Sequence, residues 1–405
     1  MTSTPWEDID PARWRMLAVL SIAEFLGMSL WFGASAVAGD LGARWSLDTS
    51  QMGWLTSIVQ LGFVVGTAVA ALLNLADIVP ARWYFAVSAL AAAAANACLV
   101  TTDAYPTALV LRFATGFFLA GVYPPAMKMA ATWFRARRGL AIGTVVGALV
   151  VGKSLPYLIR ALPSVSASTV ILVASVGACG AAILIASTYR DGPYAFAARP
   201  FSFELVGTVV SSKEWRLSTG GYLGHMFELY SFWTWIPAFT AASMVAGQVA
   251  TSPQTVSIIA FLAIAAGGIG SVWGGIAADR RGREWLVTVA MLASGTCALL
   301  APFVFGRPMV FIVAIALVWG FFVVADSAQF SALVTESVPP HAVGTALTVQ
   351  TSVGFLLTMV SIQLIPPLVG AIGWKFAFPV LALGPAAGVA SIRMLVRSRQ
   401  AGVAR

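Results

Sequence analysis

Hydrophobic residues occur in long runs along this sequence, and short polar segments separate one run from the next. A transmembrane helix needs about 20 apolar residues to cross ~30 Å of hydrocarbon. Twelve runs of roughly this length lie at residues 14–38, 52–75, 83–101, 106–132, 139–160, 166–188, 216–242, 253–277, 285–304, 308–333, 343–367 and 374–395. They are apolar on every face, whereas β-barrel strands alternate. The pattern therefore predicts an all-α polytopic membrane protein with twelve transmembrane spans.

The widest polar gap, residues 189–214, separates spans 6 and 7. It predicts an N-terminal six-helix bundle at 1–188, a cytoplasmic linker at 189–214 and a C-terminal six-helix bundle at 215–405. Within the linker, the segment FSFELVGTVV is expected to form a short helix at the cytoplasmic surface.

The two halves also repeat each other. A shift of 201 residues places Trp14 on Trp215, and a slightly larger shift places the GFF at Gly116 on the GFF at Gly320. The repeat predicts two pseudo-symmetric bundles that rock about a central site and give alternating access.

Charge distribution sets the expected orientation. Only 10% of the 405 residues are charged, where a soluble domain carries about a quarter. The net charge of +8 does not indicate nucleic-acid binding, because the basic residues lie between apolar runs that belong in a lipid bilayer. Seventeen of the 24 Lys and Arg residues fall on the side of the N-terminus and four on the other side. A multi-pass protein of a cell inner membrane with both termini cytoplasmic is therefore expected.

Several motifs resemble those of the major facilitator superfamily. GGIAADRRGRE, residues 274–284, resembles the loop signature G-x-x-x-D-R-x-G-R, and RFATG, residues 112–116, is similar to the R-x-x-x-G of the fourth helix. WFRARRGLAIG, residues 133–143, resembles the run after the fourth helix in anion and organic-anion porters. The resemblance implies a secondary transporter, with cytoplasmic gating assigned to the residues that match or correspond: Asp279, Arg280, Arg283 and, in the N-terminal half, Asp77.

A carboxylate such as that of Asp279 can accept hydrogen bonds from arginines or from the free amides of a neighbouring helix N-terminus. We therefore expect Asp279 to stabilise one of the two rocking states; the alternative is a solvated surface charge.

Seven ionisable residues lie inside the apolar runs: Glu24, Arg112, Lys128, Lys153, His225, Glu228 and Asp326. Each charged form costs roughly 2.5 to 3.5 kcal/mol or more at the bilayer centre, so these side chains are expected to face a polar interior. All except Arg112 and Lys128 fall near the midplane of their spans, where substrate and coupling-ion sites of such folds lie.

Four of these residues are candidate carriers of a coupling proton: Glu24, His225, Glu228 and Asp326. A histidine titrates near pH ~6.5, and burial favours the neutral form of a carboxyl group. Under the repeat, Glu24 coincides with His225, which would let the two exchange a proton across a shared cavity. The alternative is a fixed polar cluster that only holds helices together.

Lys153 is the candidate anchor for an anionic substrate, since an ammonium group is a point-charge donor. The competing interpretation is a structural ion pair with Glu24 or Asp326. Tyr123 and Tyr230 are further candidates for substrate contact. Arg112 is another, although a structural role suits it better because its motif accompanies many substrates.

The sequence thus predicts proton-coupled symport of a small organic anion by a monomer. An exporter of amphipathic or cationic compounds is the alternative, and a polytopic membrane enzyme is a remote one. No P-loop signature indicates ATP, and no metal or other cofactor is expected, because Cys98, Cys179 and Cys297 lie in apolar runs without metal-ligand spacing.

Overall fold

The computed structural model describes residues 10–135, 137–194 and 201–403, except for the side chains of residues 76, 77, 138, 402 and 403. This part of the chain consists of helices joined by short turns and loops, and it contains no strand. The N-terminal half contains α1 (Ala12–Gly27), α2 (Ala38–Trp45), α3 (Thr49–Leu72), α4 (Leu75–Ile78), α5 (Ala81–Ala97), α6 (Tyr105–Leu119), α7 (Tyr123–Ala131), α8 (Arg138–Arg160) and α9 (Ala167–Thr188).

The C-terminal half follows a short helix in the predicted linker, α10 (Phe203–Ser211), which confirms that FSFELVGTVV is helical. Its remaining helices are α11 (Lys213–Ala246), α12 (Pro253–Arg281), α13 (Arg283–Val304), α14 (Met309–Ala325), α15 (Ser327–Glu336), α16 (Val343–Ala377) and α17 (Leu383–Val403).

Twelve membrane crossings account for these helices. Nine helical stretches among the described residues are long and apolar enough to span a bilayer, and a tenth forms if α1 and α2 are joined across a bend of 46°. The stretch Pro340–Ala401 is 62 residues long and divides into two crossings at Gly373, whose φ of 75° interrupts the helix. The last crossing is α11, a 34-residue helix whose buried residues include His225 and Glu228. The predicted fold, an all-α protein with twelve spans in two bundles, is confirmed.

The internal repeat is visible in the packing of the helices. Helices α6 and α14 begin 204 residues apart, at Tyr105 and Met309, and so do α7 and α15. A Cβ on Gly116 would overlap the carbonyl oxygen of Val59, and a Cβ on Gly320 that of Ala263, again 204 residues on. Glycine at these positions lets two backbones approach closely. Spans 2 and 4 therefore pack in the same way as spans 8 and 10.

Small residues also line the contact between the two halves. Helix α8 packs along α12, and a Cβ on Gly147 would lie 2.9 Å from the carbonyl oxygen of Gly268. A Cβ on Gly143 would lie 3.3 Å from that of Ser271. A second contact between the halves runs along α3 and α16.

Spans 4 and 10 are both broken, but proline marks the break in span 4 only. Pro124 and Pro125 lie in the first turns of α7, and span 4 breaks just before them, as proline in a helix interior predicts. The repeat carries the same break to span 10, between α14 and α15, where Asp326 and no proline lies.

Span 1 was predicted as a single apolar run at residues 14–38, but its helix is broken. Helix α1 ends at Gly27, and two 3₁₀ turns, Met28–Leu30 and Ser35–Val37, lead into α2. The backbone carbonyls freed by this break are bonded by a side chain from span 4, described below.

A test of the close helix packing is Gly116→Val. The added side chain would overlap the backbone of α3, so we expect it to lower the free energy of unfolding by about 1–3 kcal/mol or more, as overpacking does. The matched control is Gly370→Val, because no atom lies within 4 Å of a Cβ at Gly370 in α16. Thermal unfolding of the purified protein in detergent measures both, and equal melting temperatures for the two variants would contradict this packing.

Candidate functional site

Lys153 lies in α8, where the two halves meet, and its side chain is 3% exposed. Its Nζ atom donates a hydrogen bond of 2.6 Å to Tyr230 Oη. Three ring faces surround the ammonium group, with Nζ 4.1 Å from the ring centroid of Trp31, 4.8 Å from Tyr230 and 5.5 Å from Trp233. We call Trp31, Tyr230 and Trp233 the lysine cage. Because Tyr230 and Trp233 belong to α11, the cage joins the two halves.

Glu24 lies in α1 and is fully buried beside this cation. Lys153 and Tyr123 both lie near Glu24, yet neither carboxylate oxygen has a hydrogen-bond partner among the described residues. The structural ion pair weighed for Lys153 is therefore not formed as a direct contact, and the neutral Tyr230 hydroxyl takes that position. Tyr123 lies near both Glu24 and Tyr230 of the lysine cage.

Four aromatic rings, two of which belong to the lysine cage, contact one another where the two halves meet. Trp31 and Phe63 come from the N-terminal half, Tyr230 and Phe355 from the C-terminal half, and we call these four the aromatic seam. Across the halves, ring centroids are 4.7 Å apart for Phe63 and Phe355, 5.7 Å for Trp31 and Tyr230, and 5.8 Å for Trp31 and Phe355. The seam closes the space beside Lys153.

The sequence analysis did not identify Trp31, Trp233, Phe63 or Phe355 as site residues. Hydropathy gives no signal for them, because an aromatic ring in an apolar run is equally expected in contact with lipid.

Arg112 in α6 is fully buried, and protein acceptors bond its guanidinium group. Nη1 donates to the carbonyl oxygen of Leu30 at 3.0 Å and to Asn96 Oδ1 at 3.1 Å, and Nη2 donates to the carbonyl oxygen of Trp31. Nε donates to the carbonyl oxygen of Leu55 at 3.3 Å. Arg112 thus bonds the carbonyls freed by the break in span 1, which favours the structural role over the predicted contact with substrate. Through Trp31 it also fixes one wall of the lysine cage.

The titratable residues of the C-terminal half have direct partners. His225 Nδ1 lies 2.9 Å from Asp326 Oδ1, and His225 Nε2 lies 3.1 Å from Ser327 Oγ. These contacts join α11 to the break in span 10. The structure describes no hydrogen bond or ion pair between Glu24 and His225, so proton exchange between them stays a prediction.

Glu228 lies one turn beyond His225 and points among the helices of its own half. Its Oε2 accepts a hydrogen bond of 2.7 Å from Ser294 Oγ, and its Oε1 accepts one of 2.8 Å from Trp319 Nε1. Each carboxylate oxygen thus has one donor, whereas the oxygens of Glu24 have none. Asp326 Oδ1 also has no hydrogen bond, but it lies within ion-pair distance of His225. Among the described carboxyl groups at the centre, Glu24 therefore has neither a hydrogen bond nor a direct ion-pair contact.

The predicted gating residues lie at the ends of the helices. Asp279, near the end of α12, faces the first turn of α8, because a Cβ on Gly139 would lie 3.2 Å from Asp279 Oδ2. The free amides of that turn favour a negative charge there. Arg280 is exposed, and Arg283 forms an ion pair with Glu336. The side chain of Asp77 lies outside the described residues.

At the opposite end, Gln363 of α16 connects the halves. Its Oε1 accepts a hydrogen bond of 2.9 Å from Ser50 Oγ in α3, and its Nε2 donates one of 3.3 Å to Ser57 Oγ. The two halves therefore touch both near Asp279 and near Gln363, at opposite ends of the spans.

Comparison with known proteins agrees with this geometry. A model of the Major Facilitator Superfamily matches residues 17–361. A mutant of the nucleoside transporter NupG is similar in structure, with a TM-score of 0.72 and 12% identity over 94% of this chain and 99% of that one. A bacterial homologue of the human lysosomal transporter Spinster, inward-facing and unoccupied, has a TM-score of 0.69 and 15% identity over 96% of this chain and 95% of that one. The search of curated proteins found no match.

Arg112→Gln tests the bonding of the break in span 1. The change removes the donors of several buried carbonyls at once, and we expect the free energy of unfolding to fall by about 3–5 kcal/mol. Arg44→Gln is the control, since Arg44 pairs with the exposed Asp103 at the surface and should shift stability by less than about 1 kcal/mol. Chemical unfolding of both variants in detergent compares them, and a stable Arg112→Gln protein would contradict the structural role.

Proposed function

Since the chain belongs to the Major Facilitator Superfamily, we propose that it is a secondary transporter that carries a small organic anion together with a proton across the inner membrane. Its multi-pass membrane fold is that of the transporters it resembles. At 12–15% identity those structures support the fold alone, so the nucleosides carried by NupG do not define the substrate here.

The observation that carries the proposal is the bonding of Lys153. An ammonium group taken out of water is costly unless an opposite charge compensates it. In this protein its direct contacts are a neutral hydroxyl and three ring faces, while the nearest carboxylate, Glu24, is not bonded to it. A substrate anion would supply the missing contact at the junction of the two halves.

Protonation of Glu24 would couple binding of the anion to binding of a proton. If Glu24 were ionised, it would compete with the substrate for the single charge of Lys153, because like charges at this distance repel in a medium of low dielectric constant. Protonation of Glu24 removes the competition. Binding of proton and anion is therefore mutually favourable, which is the thermodynamic requirement for symport.

Rocking of the two halves would expose the site to each side in turn. We propose that the bundles at 1–188 and 215–405 move against each other with the linker at 189–214 between them, both termini being cytoplasmic. Asp279 at the first turn of α8 would stabilise closure at one end, and Gln363 with Ser50 closure at the other. A monomer contains all of these contacts.

A second candidate is an exporter of cationic amphipathic compounds. The unbonded carboxylate of Glu24 favours it, as does the lysine cage, because ring faces attract ligand cations. This candidate predicts drug resistance on expression and no dependence of uptake on Lys153.

Lys153→Gln tests the anion site in proteoliposomes. We expect the initial rate of radiolabelled carboxylate uptake, driven by an inward proton gradient, to fall at least about tenfold, since glutamine keeps a donor but no charge. Lys375→Gln is the matched control, because Lys375 is exposed. Unchanged uptake by Lys153→Gln would exclude Lys153 as the anchor of the anion.

Glu24→Gln tests the coupling. Glutamine mimics the protonated acid, so we expect exchange of labelled for unlabelled substrate to continue while acceleration by a pH gradient disappears. Glu204→Gln on the exposed face of α10 is the control and should keep the acceleration. Full pH-driven accumulation by Glu24→Gln would move the coupling proton to the C-terminal half.

A further inference from the structure

The aromatic seam and Lys153 together favour a narrower class of substrate than organic anions in general. We infer that the transport site takes a planar aromatic monocarboxylate of about the size of benzoate. Its carboxylate would bind Lys153 and Tyr230, and its ring would enter the seam between the two halves. This inference rests on the proposed function and names the substrate class of the same site.

The number of available cations fixes the charge of the ligand. Lys153 and Arg112 are both buried near the junction of the halves, but the guanidinium of Arg112 already bonds four protein acceptors. One positive charge is left for a ligand. A dicarboxylate would bury a second negative charge without a partner, next to Glu24, which is unfavourable.

Hydrogen-bond donors near Lys153 match a carboxylate. An ammonium group has three donors, and the described contacts of Nζ use one of them, toward Tyr230 Oη. The rings of the lysine cage attract the charge but offer no lone pair. The Tyr230 hydroxyl accepts from Lys153 and has no described acceptor for its own hydrogen. One carboxylate oxygen can thus accept from Nζ and the other from Tyr230 Oη.

Contacts across the seam determine the shape of the ligand. Phe63 and Trp31 of one half touch Phe355 and Tyr230 of the other, at centroid distances of 4.7 to 5.8 Å. Rocking that exposes Lys153 must separate these rings and lose their tilted ring contacts. A planar aromatic ring inserted between them restores those contacts on both sides. A saturated ring of similar size has no quadrupole, is thicker, and restores them poorly.

Closure would then depend on the ligand. The four rings of the seam are nearly fully buried, so a ligand reaches them only after the halves separate. Once inserted, an aromatic ring contacts both halves at once and favours their reclosure around it.

Calorimetric titration of the full-length protein in nanodiscs tests the inference with four matched compounds. Benzoate is compared with cyclohexanecarboxylate, which keeps charge and size but has no π-system. Terephthalate adds a second carboxylate, and benzyl alcohol removes the charge. We expect benzoate to bind at least about tenfold more tightly than cyclohexanecarboxylate. Terephthalate and benzyl alcohol should bind at least about a hundredfold more weakly than benzoate.

Phe355→Leu locates the ring site, because leucine keeps an apolar side chain and removes the ring. Benzoate should bind about tenfold more weakly to this variant, and cyclohexanecarboxylate within about twofold of its original affinity. Phe63→Leu tests the opposite wall and replaces Phe355→Leu if that variant does not fold. Phe303→Leu on the exposed face of α13 is the control and should bind benzoate unchanged.

The outcomes separate this inference from the proposed function. Equal affinity for benzoate and cyclohexanecarboxylate, or tight binding of terephthalate, would overturn the inference, while pH-driven uptake of a saturated carboxylate would leave symport in place. If no carboxylate is taken up in response to a pH gradient, both the proposed function and the inference fail.

Discussion

The ammonium group of Lys153 is stabilised by contacts from both halves of the protein, and the arrangement of the centre depends on that shared stabilisation. Its hydrogen bond and two of its three ring contacts come from α11, which belongs to the half opposite its own helix. A charge in a medium of low dielectric constant is unfavourable when any of these contacts is lost. The position of one half therefore determines how well the charge of the other half is stabilised.

Arg112 and Lys153 show two ways of burying a cation. The planar guanidinium of Arg112 donates hydrogen bonds to several backbone carbonyls, and these bonds hold an irregular segment of span 1 in place. The ammonium of Lys153 donates one hydrogen bond, and cation–π contacts with ring faces stabilise its positive charge. The first arrangement uses four of the five guanidinium donors and suits a fixed structural element. The second leaves two of the three ammonium donors without a described acceptor.

The sequence predicted those features that depend on local composition. Run length predicted the twelve spans, and the Pro124–Pro125 pair marks the position of the break in span 4. The break in span 1 was missed because the side chain that satisfies it, Arg112, is about 80 residues away and its motif alone does not show which carbonyls it bonds. Phe63 and Phe355 were missed for the same physical reason: contact between rings of different helices is set by packing across the halves, and hydropathy describes each helix separately.

Glycine contacts along α8 and α12 bear on the energetics of motion. Where Gly143 and Gly147 meet Ser271 and Gly268, the two backbones lie close together, and the side chains that pack at these glycines are the short ones of Val151 and Val272. Two such surfaces can slide or tilt past each other without forcing side chains through new rotamers, as in shear motions. The activation barrier between conformations would then arise where polar and aromatic groups must separate. The contact between α8 and α12 would add little to that barrier.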